Sequence, residues 1–340
     1  MPFRYAILGM GPAGIFMLAS LPETLLQETL VIEKNCIGGE LASSYGSIKA
    51  NGTKQIIVTA FQKIPRWASK PIRCLEEYAD EECPRLSDVT RQMREWIMPD
   101  IQRTHFHTTT VLRLRQTGTG WRIECEHDMF EAQNVIVSTG SLPKTMNLPK
   151  ATIPLPIALQ KATLEQQVSK SDKVVVFGTA HSGTLVLKNL YDIGCTGVVA
   201  VYRGRAPFLY ARDGVPGGIK EESARIADAI VGNQWETQTP RMLQYEDFAK
   251  VYRAVEKADI VIYAIGFEKT KIEYVDISGI QQTLDHDWET GRFRNISNIW
   301  GFGIAFPSHL LRNPSFPDIG FDGFITAIQT ALPSILQLNS

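Results

Sequence analysis

The feature that most constrains this chain is a glycine-rich segment near its N-terminus, Gly9-Met10-Gly11-Pro12-Ala13-Gly14. A short apolar run at residues 5–8 precedes it, and a segment with apolar residues at helical spacing, 14–26, follows. In such a G-x-G-x-x-G turn the first glycine permits a tight bend, the second lets a diphosphate approach the backbone, and the third lets helix and strand pack closely. The segment therefore predicts a strand, a turn and a helix whose N-terminus binds a diphosphate.

An acidic residue stands where the next strand ends. The apolar run at 30–32 leads to Glu33, 24 residues after Gly9. A carboxylate there can accept hydrogen bonds from both ribose hydroxyls and would repel a 2′-phosphate. Because the second unit, described next, carries arginines instead, the pair predicts an FAD-type site here and an NADPH-type site there. Lys34, Gly39 and Glu40 are predicted to line the same site. The alternative is a structural turn with a surface glutamate.

A second unit of the same kind follows about 170 residues later. Gly178-Thr179-Ala180-His181-Ser182-Gly183 lies between an apolar run at 174–177 and a predicted helix at 183–193. Ala180 replaces the middle glycine, and its methyl group narrows the approach of a phosphate without forbidding it. After the next strand, at 198–201, Arg203 and Arg205 replace the acid. A guanidinium suits the 2′-phosphate of NADPH. The alternative is a solvated arginine pair, and NADH stays open.

Composition narrows the class of protein further. The 340 residues are 44% hydrophobic and 21% charged, which is ordinary for a globular protein. The net charge is −1, so the chain lacks the excess of basic residues expected of a protein that binds nucleic acids or anionic membranes. No apolar run reaches the length of a membrane span. The five cysteines contain no CxxC pair, and His105 and His107 lack a third ligand nearby, so we predict a cytoplasmic protein without a metal site.

Other elements are predicted between the two units. The pattern of residues 87–102 predicts an amphipathic helix whose N-terminus Ser87 or Asp88 would cap. Strands at 108–115, 120–126 and 129–132 predict a small antiparallel meander. A long loop at 204–218 precedes a helix at 221–231, and Arg212, Asp213 and Lys220 are candidates to cover NADPH.

Four further segments carry a family resemblance. These are 135–143 with Thr139 and Gly140, 260–267 with Gly266, 298–303 with Gly303, and 322–336. In this order they resemble the two-dinucleotide-binding-domain flavoproteins, which include thioredoxin-reductase-like enzymes and flavin-containing monooxygenases. The resemblance implies an α/β fold of two Rossmann-like three-layer domains. An NADPH domain at 153–264 would be inserted into an FAD domain formed by 1–152 and 265–340. Phe302 stands where the family usually has an aspartate.

The resemblance leaves the specific reaction open. Gly38-Gly39, Tyr45, Asn51-Gly52-Thr53-Lys54, Phe61 and Pro65 resemble the flavin-containing monooxygenase pattern, in which the asparagine helps hold the oxygenated flavin. Asn51 is thus the candidate catalytic residue, although an Asn-Gly turn also explains it. The short length instead resembles the reductases, but the missing CxxC excludes their dithiol chemistry.

We therefore predict an FAD-dependent NADPH oxidoreductase that acts on a small molecule, with a monooxygenase-like reaction favoured. The first alternative is a reductase of a quinone, ferredoxin or small carrier. The second is a nucleotide-binding sensor without turnover. By analogy the fold also allows a homodimer.

Overall fold

The computed structural model describes residues 1–208, 221–235, 238–310 and 313–337. The chain divides into two compact units, Met1–Ser141 with Lys269–Ser340, and Leu142–Glu268. The predicted domain boundaries, after residues 152 and 264, differ from these by 11 and 4 residues.

The elements of both units are numbered here in chain order. The strands are β1 (Phe3–Leu8), β2 (Thr29–Glu33), β3 (His105–Thr108), β4 (Val111–Gln116), β5 (Trp121–Cys125), β6 (Met129–Val137), β7 (Ser141–Pro143), β8 (Ala151–Ile153), β9 (Lys173–Phe177), β10 (Gly197–Tyr202), β11 (Arg241–Gln244), β12 (Ile260–Tyr263), β13 (Phe267–Lys269), β14 (Glu273–Val275), β15 (Ile299–Gly301), β16 (Ser308–Leu310) and β17 (Asn313–Asp318). The α-helices are α1 (Pro12–Ser20), α2 (Gly39–Ser44), α3 (Lys54–Gln62), α4 (Leu86–Ile101), α5 (Leu155–Ala158), α6 (Lys161–Leu164), α7 (His181–Ile193), α8 (Glu221–Val231), α9 (Phe248–Lys257) and α10 (Phe321–Gln337). Two 3₁₀ helices span Glu23–Glu28 and Arg73–Leu75.

The sheet of the first unit has the order β14-β4-β5-β6-β1-β2-β3, with β15 paired to β6. Strand β1 is parallel to both neighbours, so Ala6 lies between Leu30 and Val135. The sheet is buried on both faces, since Tyr5 and Ile7 enter one core cluster and Ala6 enters the other. Continuous apolar runs are typical of such strands, which confirms the prediction for residues 5–8 and 30–32.

Strand β6 corrects one part of the sequence prediction. The pattern separates a meander strand at 129–132 from a following strand at 135–137, but both belong to one nine-residue strand. Its first half pairs antiparallel with β5 and its second half pairs parallel with β1. One strand thus completes the predicted meander and the parallel sheet together.

Helices α1, α3, α4 and α10 cover one face of this sheet around Phe16, Phe61 and Trp67. The predicted helix at 87–102 is α4, but its N-cap is Arg85, without a side-chain cap. Asp88 instead accepts a hydrogen bond from the Tyr78 hydroxyl, with an O–O distance of 2.6 Å. The predicted cap by Ser87 or Asp88 is therefore wrong.

The second unit contains a five-stranded parallel sheet in the order β11-β10-β9-β12-β8. Helix α7 follows β9 and ends at Gly194, whose φ of +91° forms the left-handed C-cap. The predicted helix at 221–231 is α8. The predicted loop is described as far as residue 208, and Arg212, Asp213 and Lys220 lie outside the described residues. Within the described ranges, none of the helices is both long and apolar enough to cross a bilayer.

Candidate dinucleotide sites

Two of the three glycines in the first turn are required by the fold itself. Gly9 has φ = +93°, and a Cβ there would lie 2.5 Å from the carbonyl oxygen of Ser138. A Cβ on Gly14 would lie 1.9 Å from the carbonyl oxygen of Gly9. Because both contacts are with backbone atoms, a side chain would force β1, α1 and β6 apart.

The middle glycine has no such structural reason. Gly11 is the N-cap of α1 with φ = −67°, and no heavy atom lies within 4 Å of a Cβ built on it. Pro12 occupies the first turn, where its missing N–H costs nothing. Gly39 lies against the other side, since its Cβ would be 3.0 Å from Gly11 Cα. The fold therefore leaves open space directly at the positive end of α1.

Glu33, at the end of β2, lies beside this turn as predicted. Its side chain is buried, with an exposed fraction of 5%. One carboxylate oxygen accepts from the backbone N–H of Met10 at 2.6 Å, and the other accepts from the N–H of Asn35 at 2.9 Å. A carboxylate has about four acceptor positions, so Glu33 keeps capacity for hydroxyl donors.

Lys34 and Glu40 lie close together at the same edge. Lys34 Nζ is 3.2 Å from Glu40 Oε1, and Ser44 Oγ donates to Glu40 Oε2 at 2.8 Å. The backbone N–H of Gly38 donates to Met10 O at 2.7 Å and holds the start of α2 against the glycine turn. Cys36 lies in the same connection, and burial and the nearby Glu33 carboxylate raise the pKa of its thiol.

Two later segments close on the start of α1. Thr139 Oγ1 is buried and has no hydrogen-bond partner among the described residues. Gly140 follows with φ = +71°, and a Cβ on Gly303 would lie 2.8 Å from Ala13 Cβ. Buried hydroxyl groups are normally satisfied, so the unpaired Thr139 hydroxyl is available to a ligand group at this site. The residues present thus fit a dinucleotide, with its diphosphate at Gly11 and a ribose at Glu33.

Ser138 is a contributor that the sequence prediction missed. Its hydroxyl lies 3.0 Å from the Leu8 carbonyl oxygen and 2.8 Å from that of Gly9. It thereby ties β6 to the first residue of the turn. Its place directly before Thr139-Gly140 is the only sequence signal that could have found it.

Phe302 does not face this site. Its side chain is 2% exposed, and a Cβ on Gly291 would lie 2.6 Å from its ring. It belongs to the same core cluster as Trp300 and Phe324. At the position where the family usually has an aspartate, this chain therefore has a residue of the packed core.

The second turn repeats the construction of the first. Gly178 has φ = +95°, and its Cβ would lie 2.2 Å from Ala264 O. A Cβ on Gly183 would lie 1.9 Å from Gly178 O. Ala180 is the N-cap of α7 with φ = −74°, the position that Gly11 has in the first turn. Its methyl group therefore stands where the first turn is open.

Two neighbours of the second turn were not predicted. Thr179 Oγ1 donates to the carbonyl oxygen of Pro207, and His181 Nδ1 contacts Ser223 Oγ on α8. The turn is thus held by the segment after β10 and by α8. The sequence contains no spacing rule that would link Ser223 to His181.

The remaining predicted residues of the second site are more open. Arg203 and Arg205 are exposed just beyond β10 and form no ion pair with another described residue. Ser182 is half-buried in the first turn of α7. Gly266 has φ = +93°, with no heavy atom within 4 Å of a Cβ built there.

Asn51 lies on an exposed bend before α3. Its two motif neighbours have structural functions: Thr53 caps α3, accepting from Ile56 N at 3.4 Å, and Lys54 Nζ donates to Tyr78 O at 2.8 Å. The Asn-x-Thr-Lys pattern is therefore partly explained by helix capping and loop anchoring. The catalytic role of Asn51 stays a prediction.

Residues 6–287 match the family model described as pyridine nucleotide-disulphide oxidoreductase, so the chain belongs to that family. No curated protein sequence matches the chain. The predicted class, an FAD- and NAD(P)-dependent two-domain oxidoreductase, is confirmed.

Solved structures of reductases and of a monooxygenase share the fold at low sequence identity. The bacillithiol disulfide reductase Bdr (YpdA) from Staphylococcus aureus is 16% identical, with a TM-score of 0.65 and 100% of both chains covered. A double mutant of a flavin monooxygenase from Stenotrophomonas maltophilia is 13% identical, with a TM-score of 0.64 and 99% of both chains covered. A thioredoxin reductase from Lactococcus lactis is 16% identical, with a TM-score of 0.56 over 99% of this chain and 100% of that one. These likenesses confirm the fold.

Proposed function

We propose that this chain binds FAD at the first glycine turn and NADPH at the second, and that it oxidises NADPH. The observation that carries the proposal concerns the strand that follows each turn. After the first turn that strand ends in an acidic residue, and after the second turn it is followed by a basic residue. Glu33 is buried beside the first turn, and Arg203 is exposed after the strand that follows the second. The family to which the chain belongs uses pyridine nucleotides, which supports the second assignment.

At the first turn, the FAD diphosphate would occupy the space above Gly11, where the free N–H groups of α1 point. The Glu33 carboxylate would accept from the ribose hydroxyls while keeping its bond to the Met10 N–H. The Thr139 hydroxyl would gain the partner that it lacks. A nearly neutral chain can in this way bind a polyanion locally.

At the second turn, the diphosphate of NADPH would lie at the N-terminus of α7, beside the Ala180 methyl group. Arg203 and Arg205 would bind its 2′-phosphate through charge-assisted hydrogen bonds. Both guanidinium groups are exposed and free of carboxylate partners within the described residues, so neither must break an ion pair to do so.

The fate of the electrons distinguishes two reactions. FAD, when bound, would accept a hydride from NADPH and pass the electrons to a further acceptor. None of the five cysteines belongs to a CxxC pair, so the sequence lacks the dithiol motif that would receive the electrons. We therefore favour a monooxygenase-like reaction in which oxygen and a small molecule are the acceptors, with Asn51 near the flavin.

The second candidate is a reductase of a small disulfide or quinone. The observation in its favour is Cys36, a half-buried thiol in the wall of the first turn, whose Sγ is 3.9 Å from Gly39 O. Against it, burial and then the Glu33 charge raise the pKa of this thiol. A thiol that resists ionisation attacks a disulfide slowly.

One set of turnover measurements tests both the proposed cofactors and the choice between the two reactions. The holoenzyme is given NADPH with oxygen and a panel of amines and sulfides, then without oxygen but with a quinone or a small disulfide. We expect aerobic NADPH oxidation coupled to oxygenated product. In Asn51→Ala we expect an unchanged rate of NADPH oxidation and a larger share of peroxide, and Asn147→Ala, another exposed asparagine, serves as the control.

The outcomes are separable. Anaerobic turnover with the quinone or disulfide, together with peroxide as the only aerobic product, would replace the first reaction by the second. Colourless protein that fails to oxidise NADPH under either condition would contradict the proposed cofactors themselves.

A further inference from the structure

A basic cleft lies in the second unit at the end of the sheet remote from the glycine turn. It has a volume of about 460 Å³ and is lined by five cations: Lys173, Arg241, Lys250, Arg253 and Lys257. We propose that this cleft is a binding site for a small polyanion carrying two or more phosphate groups. The proposal does not depend on the function proposed above.

The fold brings these cations together from three elements. Lys173 and Arg241 are the first residues of β9 and β11, and parallel strands begin at the same edge of a sheet. The other three follow one another at spacings of three and four along α9, which places them on one side of the helix. All five side chains are exposed.

The floor of the cleft is apolar. Val175, Val199 and Ala254 line it, and Val175 and Ala254 belong to the buried core that joins α9 to the sheet. The cations therefore form a rim that can turn inward over a fixed base. The volume of the cleft lies within the range of about 300–1,000 Å³ that small-molecule sites have.

The charge of the cleft is poorly balanced. No acidic residue lines it, and Lys250 alone of the five forms an ion pair within the described residues, with Asp247 at 2.6 Å. Asp259 lies near the rim, because its carboxylate accepts from the Lys173 N–H at 2.9 Å. The five lining cations thus face no acidic lining residue, in a chain whose net charge is −1.

Such a cluster favours phosphate groups over single charges. Neighbouring cations repel one another until an anion binds between them. The planar guanidinium groups of Arg241 and Arg253 can each bind two phosphate oxygens. A molecule with several phosphates therefore gains more here than one with a single charge.

The cleft is separate from the nucleotide turn. The cleft is at Lys173, where β9 begins, and the turn is at Gly178, just after β9 ends. Five residues of extended strand span roughly 16 Å. Both sites can therefore be occupied at the same time.

The test is isothermal titration of the full holoprotein with tripolyphosphate, with substitution of the cleft cations separating the cleft from the glycine turns. We expect one equivalent of tripolyphosphate to depend on the cleft cations, with an affinity that falls as salt is raised. A parallel titration with citrate separates phosphate recognition from general attraction of carboxylates, and weaker binding of citrate is expected.

Two double variants complete the experiment. Arg253→Ala with Lys257→Ala is expected to weaken tripolyphosphate binding at least about tenfold, the loss of roughly one charge-assisted contact. Lys49→Ala with Lys161→Ala removes two exposed charges elsewhere and is the control. Both pairs are on the surface, so the melting temperature should be unchanged.

The proposal would be overturned by either of two results. In one, tripolyphosphate does not bind the original protein. In the other, the cleft variant and the control variant bind it equally well.

Discussion

The two helix-start glycines of the first turn offer a sharp test, since the structure assigns them different functions. A Cβ on Gly14 would lie 1.9 Å from Gly9 O, whereas ordinary contact begins at 3.4 Å, so the backbone must separate by about 1.5 Å. Overpacking of a fixed core typically costs about 1–3 kcal/mol. Because backbone and the Ser138 hydroxyl are both in the way, we expect Gly14→Ala to lower the free energy of unfolding by about 3 kcal/mol.

Gly11→Ala should behave in the opposite way. No atom lies within 4 Å of the new methyl group, and φ = −67° suits alanine. The reduced freedom of the unfolded chain and the poorer N-cap roughly cancel, so stability should change by less than about 1 kcal/mol. The methyl group nevertheless occupies the space assigned to the diphosphate. We expect FAD affinity to fall about ten- to a hundredfold, the worth of one charge-assisted hydrogen bond.

Urea unfolding of the flavin-free proteins measures the first quantity, and flavin titration of the folded proteins measures the second. Equal destabilisation by both substitutions would refute the structural assignment of Gly14. Full FAD affinity in Gly11→Ala would refute the assignment of the open space.

Substitutions at three other positions test the second turn and the pH dependence of stability. Ala180→Gly should tighten NADPH binding about three- to tenfold, measured by titration, because it restores the space that Gly11 has in the first turn; weaker binding would contradict the parallel. Arg203→Ala should raise the KM for NADPH about tenfold or more and leave that for NADH unchanged, with Lys161→Ala as control; an unaltered preference would exclude Arg203 from the 2′-phosphate site. Burial lowers the pKa of His286, so this side chain takes up a proton less readily in the folded protein than in the unfolded chain. The free energy of unfolding is therefore at its full value above the unfolded pKa of 6.5 and decreases as the pH falls below it. His286→Gln should flatten this dependence by up to about 1.4 kcal/mol per pH unit in urea unfolding at pH 7 and below, and a slope identical to that of the original protein would show that other groups cause it.

The parallel strands and glycine turns could be predicted because their physical requirements are local. Buried parallel strands need continuous apolar runs, as at β1 and β9, and each turn needs a glycine where the backbone reaches positive φ, as at Gly9 and Gly178. Glu33 could be placed because a fixed length of helix and strand separates it from the turn.

Contacts between distant segments could not be predicted in this way. Ser223 contacts His181 only because α8 packs beside α7. In the basic cleft, Lys173 meets cations that follow it by 68 residues or more in the chain. The continuity of β6 was missed because its edge half alternates while its central half is fully buried, so the pattern changes within one strand.

A crystal structure of the protein grown with FAD and NADP⁺ would show directly what each glycine turn binds. We predict one diphosphate at the start of α1, hydrogen-bonded to backbone N–H groups beside Gly11, and a second at the start of α7 beside Ala180. A structure in which FAD occupies any other position, or in which saturating NADP⁺ leaves the start of α7 without a ligand, would contradict the assignment of the two turns as dinucleotide sites.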